Sequence, residues 1–123
     1  MKRVLIVEDQ ADIRKLIRMT LELEPYELHE AANGAEGLQQ AVALQPDLIL
    51  LDVMMPGALD GLQVCARVRA LPALQATRVV LLTARGLAQD SDDGQRAGAD
   101  AYLIKPFSPL QLVEIVERLM PVP

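Results

Sequence analysis

Short apolar runs alternate along the chain with longer stretches of helical patterning, and this alternation restricts the fold more than any other feature of the sequence. Runs of this length that are rich in Val, Ile and Leu are typical of buried strands. Strands that alternate with helices predict a parallel sheet with helices on both faces. The predicted strands are Arg3–Val7, Tyr26–Ala32, Asp47–Asp52, Arg78–Leu82 and Ala101–Ile104.

A helical stretch follows each predicted strand, which gives five strand–helix units. The predicted helices are Asp12–Leu23, Ala35–Leu44, Leu62–Leu71, Gly86–Arg96 and a last helix capped by Ser108. We expect the first helix to bury Leu16 and the last to leave Ile115 exposed. The second strand contains Glu27 and Glu30, so it is expected at an edge of the sheet. The prediction is an α/β fold with a doubly wound, five-stranded parallel sheet of order 2-1-3-4-5.

Length and composition exclude several classes of protein. A chain of 123 residues suits one compact domain, so residues 1–123 are expected to form a single unit. The net charge is −5 and no cluster of Lys and Arg is present, which argues against direct binding to nucleic acid. No apolar run could cross a bilayer, and no signal peptide is visible. The single cysteine, Cys65, excludes an internal disulfide, and a cytoplasmic location is expected.

Reactive side chains follow the predicted strands at their carboxyl ends. Glu8 and Asp9 follow the first strand, Asp52 ends the third, Thr83 follows the fourth and Lys105 follows the fifth. In a sheet of this order, ligands bind beyond the carboxyl ends of the strands, near the point where the strand order reverses. We therefore expect three carboxylates, a hydroxyl and an ammonium group to converge in one cleft.

This set of side chains predicts metal-assisted phosphoryl transfer. Three carboxylates in one cleft repel one another, and a hard cation relieves the repulsion. An all-oxygen pocket suits Mg²⁺, with Mn²⁺ as the alternative. An aspartate can act as a nucleophile toward a phosphoryl group, whose developing charge requires cations and hydrogen-bond donors. Lys105 and Thr83 would supply the cation and one donor.

Each of these residues also has an ordinary structural explanation. Glu8 and Asp9 could cap the first helix, because Asp is favoured at helix N-termini. Asp52 could end a strand at a solvated turn, and Thr83 could belong to a turn. Lys105 could be a surface lysine whose aliphatic stem packs on the protein. The interpretation as a metal and phosphoryl site is favoured because it accounts for all of these residues together.

The sequence resembles the receiver-domain family of bacterial response regulators, with matching segments in the family's order and spacing. The segments are Val7-Glu8-Asp9, Asp52–Pro56, Asp60-Gly61, Leu82-Thr83-Ala84, Gly98–Leu103 and Lys105-Pro106-Phe107. One departure is the loop Pro56–Gly61, which is one residue longer than the usual Pro-x-Met-Asp-Gly pattern. The resemblance implies a flavodoxin-like fold and a phosphorylation-activated switch of a two-component phosphorelay.

The resemblance implies a role for each residue of the cleft. Asp52 would accept the phosphoryl group, while Lys105 and Thr83 would bind phosphate oxygens together with the backbone amides of Val53 and Ala84. The residues expected to hold Mg²⁺ are Glu8, Asp9, Asp52 and, through its backbone carbonyl, Met54.

Other positions are assigned by the resemblance alone. A cis bond before Pro106 would aim Lys105 into the pocket. Thr83 and Tyr102 would form a switch pair that rearranges the face made by the fourth helix, the fifth strand and the fifth helix. Met54 and Arg85, two residues beyond Asp52 and Thr83, would tune how long the phosphate persists.

The resemblance also implies partners and excludes a conventional enzyme. The donor would be a sensor histidine kinase or a histidine phosphotransfer protein, and an unidentified output target or a second copy would bind the switched face. The domain would catalyse only its own phosphorylation and dephosphorylation. Three alternatives are less favoured. A phosphatase usually has a second Asp where Met54 stands. A phosphorylation-independent adaptor usually lacks one of the acids or the lysine, and a flavin-binding protein would not place acids after its first strand.

Overall fold

Five strands form one parallel sheet in the computed structural model, which describes residues 1–84, 93 and 95–120. The strands are β1 (Lys2–Val7), β2 (Tyr26–Ala31), β3 (Leu48–Asp52), β4 (Arg78–Thr83) and β5 (Ala101–Ile104). Their order in the sheet is β2-β1-β3-β4-β5. The predicted sheet type and strand order are confirmed, and the polar strand β2 lies at an edge as expected.

Helices cover both faces of the sheet. Within the described residues they are α1 (Ala11–Leu21), α2 (Gly34–Leu44), α3 (Gly61–Ala70), a short 3-10 helix (Pro72–Leu74) and the C-terminal helix (Pro109–Leu119). Most of the predicted helix Gly86–Arg96 lies outside the described residues, as does Arg85. None of the helices that the structure describes is long and apolar enough to cross a membrane.

Side-chain caps define where three of the helices begin. Asn33 accepts a hydrogen bond from the first turn of α2. Asp60 and Ser108 form reciprocal capping boxes at the starts of α3 and the C-terminal helix. In contrast, the N-cap residue of α1, Gln10, makes no side-chain capping bond. The alternative in which the acids before α1 serve as its cap is therefore not supported.

Apolar side chains of the strands alternate between two cores, one on each face of the sheet. Val4 and Ile6 point toward α1 and the C-terminal helix, and Leu5 and Val7 point toward α2 and α3. Cys65 is fully buried in the second core. Burial on both faces explains why β1 and β3 are almost continuously apolar.

Two helical positions differ from the prediction. Leu16 is 46% exposed, because the buried stripe of α1 passes through Ile17 and Leu21 and each step along a helix rotates by about 100°. Ile115 is only 8% exposed, because it lies three residues after buried Leu112 on the same helix face. The expectation that Ile115 faces outward is therefore wrong.

The longer loop between β3 and α3 folds back closely on the strand end that holds Asp52. A Cβ atom on Gly61 would overlap the carbonyl oxygen of Asp52. A Cβ atom on Gly34 would overlap the carbonyl oxygen of Leu59 in the same loop. Only glycine allows these two close approaches of the backbone, so the loop and the start of α2 have fixed positions beside the cleft.

Candidate functional site

Three carboxylates meet at the carboxyl ends of β1 and β3. One oxygen atom from each of Glu8, Asp9 and Asp52 lies within 4.8 Å of the others. Glu8 is fully buried and Asp52 is 4% exposed, whereas Asp9 is half-buried. Val7 of β1 pairs in register with Leu51 of β3. Glu8 and Asp52, the residues that follow them, therefore lie beside each other. The structure therefore brings these three predicted residues together.

The ammonium group of Lys105 bridges two of these carboxylates. Its Nζ lies 2.6 Å from Oε1 of Glu8 and 3.3 Å from Oδ1 of Asp52. The side chain is 16% exposed, and the bond between Lys105 and Pro106 is cis. The backbone N–H of Lys105 donates to the carbonyl of Thr83 at 2.7 Å, which fixes the lysine beside the end of β4.

Burial and the close approach of two carboxylates to one ammonium group shift the pKa values of Glu8 and Lys105. The pKa of Glu8 is raised from 4.5 to about 8, chiefly by burial and also by the neighbouring Asp52, although Lys105 lowers it. Burial lowers the pKa of Lys105, but the hydrogen bond to Glu8 and the charge of Asp52 outweigh burial, so its pKa is raised. Glu8 therefore gives up its proton less readily than an ordinary carboxyl group, whereas Lys105 holds its proton more tightly.

The donor set of this cleft fits a divalent cation. In the part of the chain that the structure describes, the buried Oε2 atom of Glu8 has no hydrogen-bond partner. A buried acceptor without a partner is costly, and such an atom often marks a place where an ion or a water binds. Carboxylate oxygens are the ligands that Mg²⁺ and Mn²⁺ prefer.

The backbone amides next to Asp52 differ from the prediction at one position. The N–H of Val53 donates to the carbonyl of Leu82 at 2.9 Å, so it continues the β3–β4 pairing and is engaged away from the cleft. The N–H of Met54 instead donates to Oδ1 of Asp52 at 3.2 Å. Met54, and not Val53, therefore provides the amide that contacts the Asp52 carboxylate.

The predicted switch residues share one face of the sheet. Thr83, the last residue of β4, is 4% exposed. Tyr102 of β5 is half-buried and packs against the core on the α2 and α3 side. Tyr102 pairs in register with Leu81, so it lies diagonally across from Thr83 on the same face. Ala84, the residue whose amide is predicted to bind phosphate, follows β4 and is exposed.

Arg14 makes a contact at the site that sequence reasoning does not anticipate. Its Nη1 donates to the carbonyl oxygen of Glu8 at 2.7 Å. Its Nε lies 3.2 Å from Oε1 of Glu30 on β2. The acceptor is a main-chain carbonyl, which every residue has, so no residue pattern marks this contact.

Comparison with known sequences identifies the family. A sequence model of the response regulator receiver domain matches residues 4–117. The chain belongs to this family. The receiver domain is 44% identical over 118 residues to the transcriptional regulatory protein ResD of Bacillus subtilis (strain 168). It is 41% identical over 117 residues to the transcriptional regulatory protein SrrA of Staphylococcus aureus. The alignments cover 96% and 95% of the chain but 48% and 47% of the relatives, so the chain spans about half their length.

Solved structures of receiver domains agree with this assignment. The chemotaxis protein CheY4 of Vibrio cholerae is 32% identical and superposes with a TM-score of 0.92, covering 98% of this chain and 99% of that chain. The receiver domain of the sensor histidine kinase PA1611 from Pseudomonas aeruginosa PAO1 is 29% identical, with a TM-score of 0.89 and 98% coverage of both chains. That structure has a magnesium ion coordinated in its active-site cleft. The family predicted from the short sequence motifs is confirmed.

Proposed function

We propose that this receiver domain accepts a phosphoryl group on Asp52 from the phosphohistidine of a sensor histidine kinase or a histidine phosphotransfer protein. The arrangement around the Asp52 carboxylate is the observation that supports this proposal. The carboxylate is nearly buried, and the donors from Met54 and Lys105 both approach its Oδ1 atom. The other oxygen, Oδ2, is then the atom that attacks phosphorus.

In this transfer, a bond forms between Oδ2 of Asp52 and phosphorus while the bond from phosphorus to the partner's imidazole nitrogen breaks. The bonding electron pair stays on the imidazole, which takes up a proton. The ammonium group of Lys105 offsets the charge on the phosphoryl oxygens. The Thr83 hydroxyl and the Ala84 amide donate hydrogen bonds to those oxygens. The amide of Met54 holds the acceptor carboxylate in place during the attack.

Glu8, Asp9, Asp52 and the backbone carbonyl of Met54 are the proposed ligands of Mg²⁺ or, alternatively, Mn²⁺. When bound, the ion would supply positive charge against the phosphoryl oxygens. Binding would favour the ionised form of Glu8, because a nearby cation would oppose the burial that chiefly raises its pKa.

Thr83 and Tyr102 are proposed to convert the phosphate into a change of surface. The Thr83 hydroxyl moves toward the phosphate, and the Tyr102 ring turns inward behind it. The face formed by the predicted fourth helix, β5 and the C-terminal helix then binds an output target or a second copy of the domain. The product is a conformation, and self-catalysed dephosphorylation reverses it. Residues 1–123 act as one cytoplasmic unit that contacts neither nucleic acid nor membrane.

Intact mass spectrometry tests the proposed phosphorylation directly. The protein is incubated with Mg²⁺ and acetyl phosphate or phosphoramidate, with the Asp52→Asn variant as the control. We expect one added phosphate on the wild type, lost on treatment with hydroxylamine, and none on the variant or in the presence of EDTA. Acyl phosphates react with hydroxylamine, so this loss distinguishes Asp52 from a serine or threonine.

Two other results would each support a different function for this domain. A wild type that gains no phosphate and binds no beryllofluoride with Mg²⁺ would be a phosphorylation-independent adaptor. Steady turnover of a phosphate monoester would make the domain a phosphatase. The intact-mass experiment and a phosphate-release assay therefore separate the three functions.

A further inference from the structure

The turn between β1 and α1 bears two of the three clustered acids, and Arg14 holds its main chain. The Nη1 atom of Arg14 donates to the carbonyl oxygen of Glu8 at 2.7 Å. That carbonyl belongs to the peptide unit that joins Glu8 to Asp9. A peptide unit is planar and contains the Cα atoms of both residues. The direction of this carbonyl is therefore linked to the positions from which both acidic side chains extend.

Among the described residues, backbone hydrogen bonds hold this peptide unit only on its β1 side. The N–H of Glu8 donates to the carbonyl of Ala31 at 3.1 Å, which extends the β1–β2 pairing by one residue. Beyond that point the chain turns into α1, and the N-cap residue Gln10 provides no side-chain bond. Arg14, one turn into the helix, supplies a side-chain hydrogen bond to the carbonyl of this turn.

Glu30 fixes the guanidinium group of Arg14 and balances its charge. Its Oε1 lies 3.2 Å from Nε of Arg14, and its Oε2 lies 2.8 Å from Nη1 of Arg18. The backbone carbonyl of Glu30 accepts a hydrogen bond from Gln40 at 2.7 Å. A planar guanidinium held at one nitrogen directs its other nitrogens along fixed lines. The carboxylate also offsets a positive charge that would otherwise repel a cation in the cleft.

We infer that Arg14 is a positioning residue for the cation site, which raises the affinity for Mg²⁺ by fixing the Glu8–Asp9 peptide. This inference rests on the proposed function, since it assumes that these acids bind the ion. Arg14 contacts the main chain of the turn, so it acts on the two carboxylates through the backbone. Lys at this position would lack the fork of donors that reaches Glu30 and the carbonyl together.

Calorimetric titration of Mg²⁺ into the full chain tests the inference. The proteins compared are the wild type, Arg14→Met, Arg14→Lys and Arg18→Met. The Arg18→Met variant is the matched control, because it also loses an ion pair with Glu30 but leaves the bond to the Glu8 carbonyl intact. We expect Arg14→Met to weaken Mg²⁺ binding by about tenfold, as is typical when a group that orients a metal ligand is lost. Arg14→Lys should be intermediate, and Arg18→Met should match the wild type.

A second readout reports the local effect. Hydrogen exchange of the Asp9 amide, measured without metal, should accelerate in Arg14→Met and not in Arg18→Met. If Arg14→Met does not fold, as judged by circular dichroism, Arg14→Lys carries the test. Equal Mg²⁺ affinity in the wild type and the Arg14 variants would overturn the inference. Equal losses in Arg14→Met and Arg18→Met would do the same, since the charge network would then be the cause. If the wild type itself binds no Mg²⁺, the result would contradict the proposed function and not only the role of Arg14.

Discussion

The ammonium group of Lys105 and the carboxyl group of Glu8 lie 2.6 Å apart, although the two residues are 97 positions apart along the chain. Removing one member of a buried ion pair usually leaves an unpaired charge that destabilises the fold. Here Glu8 can hold a proton instead, because its pKa is about 8. Loss of Lys105 should therefore affect phosphoryl transfer more than folding.

Replacing Lys105 by Met is expected to slow phosphorylation of Asp52 by acetyl phosphate about 100-fold, because no ammonium group remains to offset the phosphoryl charge. The affinity for Mg²⁺ should stay the same or rise, since a competing cation has left the cleft. The phosphorylated fraction is followed over time by intact mass at saturating Mg²⁺. Lys2→Met, at the opposite end of the sheet, is the control. A wild-type rate in Lys105→Met would contradict the role of this residue.

The stability of the metal-free protein should fall as the pH rises, because of Glu8. Its pKa in the folded protein, about 8, is above the ordinary value of 4.5. A raised pKa contributes stability that is complete below pH 4.5 and is lost as the pH rises through about 8. We expect the urea midpoint in EDTA to decline over this range and the Glu8→Gln variant to decline less.

Mg²⁺ should reverse this pH dependence, because the ion binds ionised Glu8 and its affinity grows as the proton leaves. The same urea titrations with saturating Mg²⁺ measure the change. In EDTA, the urea midpoints of the wild type and Glu8→Gln could instead decline equally with pH. That result would show that a group other than Glu8 controls the pH dependence.

Replacing Gly61 by Ala should disturb both stability and phosphorylation. The new Cβ would collide with the carbonyl of Asp52, so the backbone that holds the acceptor must shift. We expect a loss of about 2–3 kcal/mol in the free energy of unfolding, typical of a group forced into space that other atoms occupy. Urea denaturation and the phosphorylation rate are the measurements.

Gly57→Ala is the matched control for this experiment. Gly57 has a φ of +106°, but a Cβ added to it would meet no atom within 4 Å. Its replacement should therefore cost about 1 kcal/mol through backbone strain alone and leave the phosphorylation rate unchanged. Equal effects of the two substitutions on the rate would argue against a specific contact at Gly61.

Asp100, within the family-like segment Gly98–Leu103, is predicted to be structural. Its Oδ2 accepts hydrogen bonds from the N–H of Val79 at 2.8 Å and from Arg69 at 2.5 Å. Asp100→Ala should lower the free energy of unfolding by about 1–3 kcal/mol, because it leaves those donors without an acceptor. Arg78→Ala should cost less than about 1 kcal/mol, because its longer, exposed pair with Asp100 contributes little. Comparable losses would contradict this assignment.

The sheet and the cleft can be predicted because they follow from residue types at strand positions. Continuous apolar runs such as Leu48–Leu51 identify buried parallel strands, and the polar strand Tyr26–Ala31 identifies an edge. Once the strand order is known, the side chains at the carboxyl ends must converge. Glu8, Asp52 and Lys105 are therefore expected to lie together from their positions in the sequence.

Other features have no signal in residue types. The predicted faces of Leu16 and Ile115 are wrong, because an apolar residue at the border of a helical stripe fits either side. Residue type does not distinguish Val53 from Met54, because both have the same N–H group and only the strand pairing decides which one is engaged. The contact from Arg14 to the carbonyl of Glu8 escapes prediction for the same reason.

The cleft takes its side chains from four strand ends, from Glu8 near the start of the sequence to Lys105 after β5. During synthesis on a ribosome, Asp52 therefore emerges long before the lysine that completes its surroundings. Under the proposed function, a chain interrupted before β5 would lack the ammonium group of Lys105 that offsets the phosphoryl charge, so Asp52 would accept phosphate poorly. Incomplete translation products would then accept little phosphate, and the phosphorylated protein would consist of finished domains.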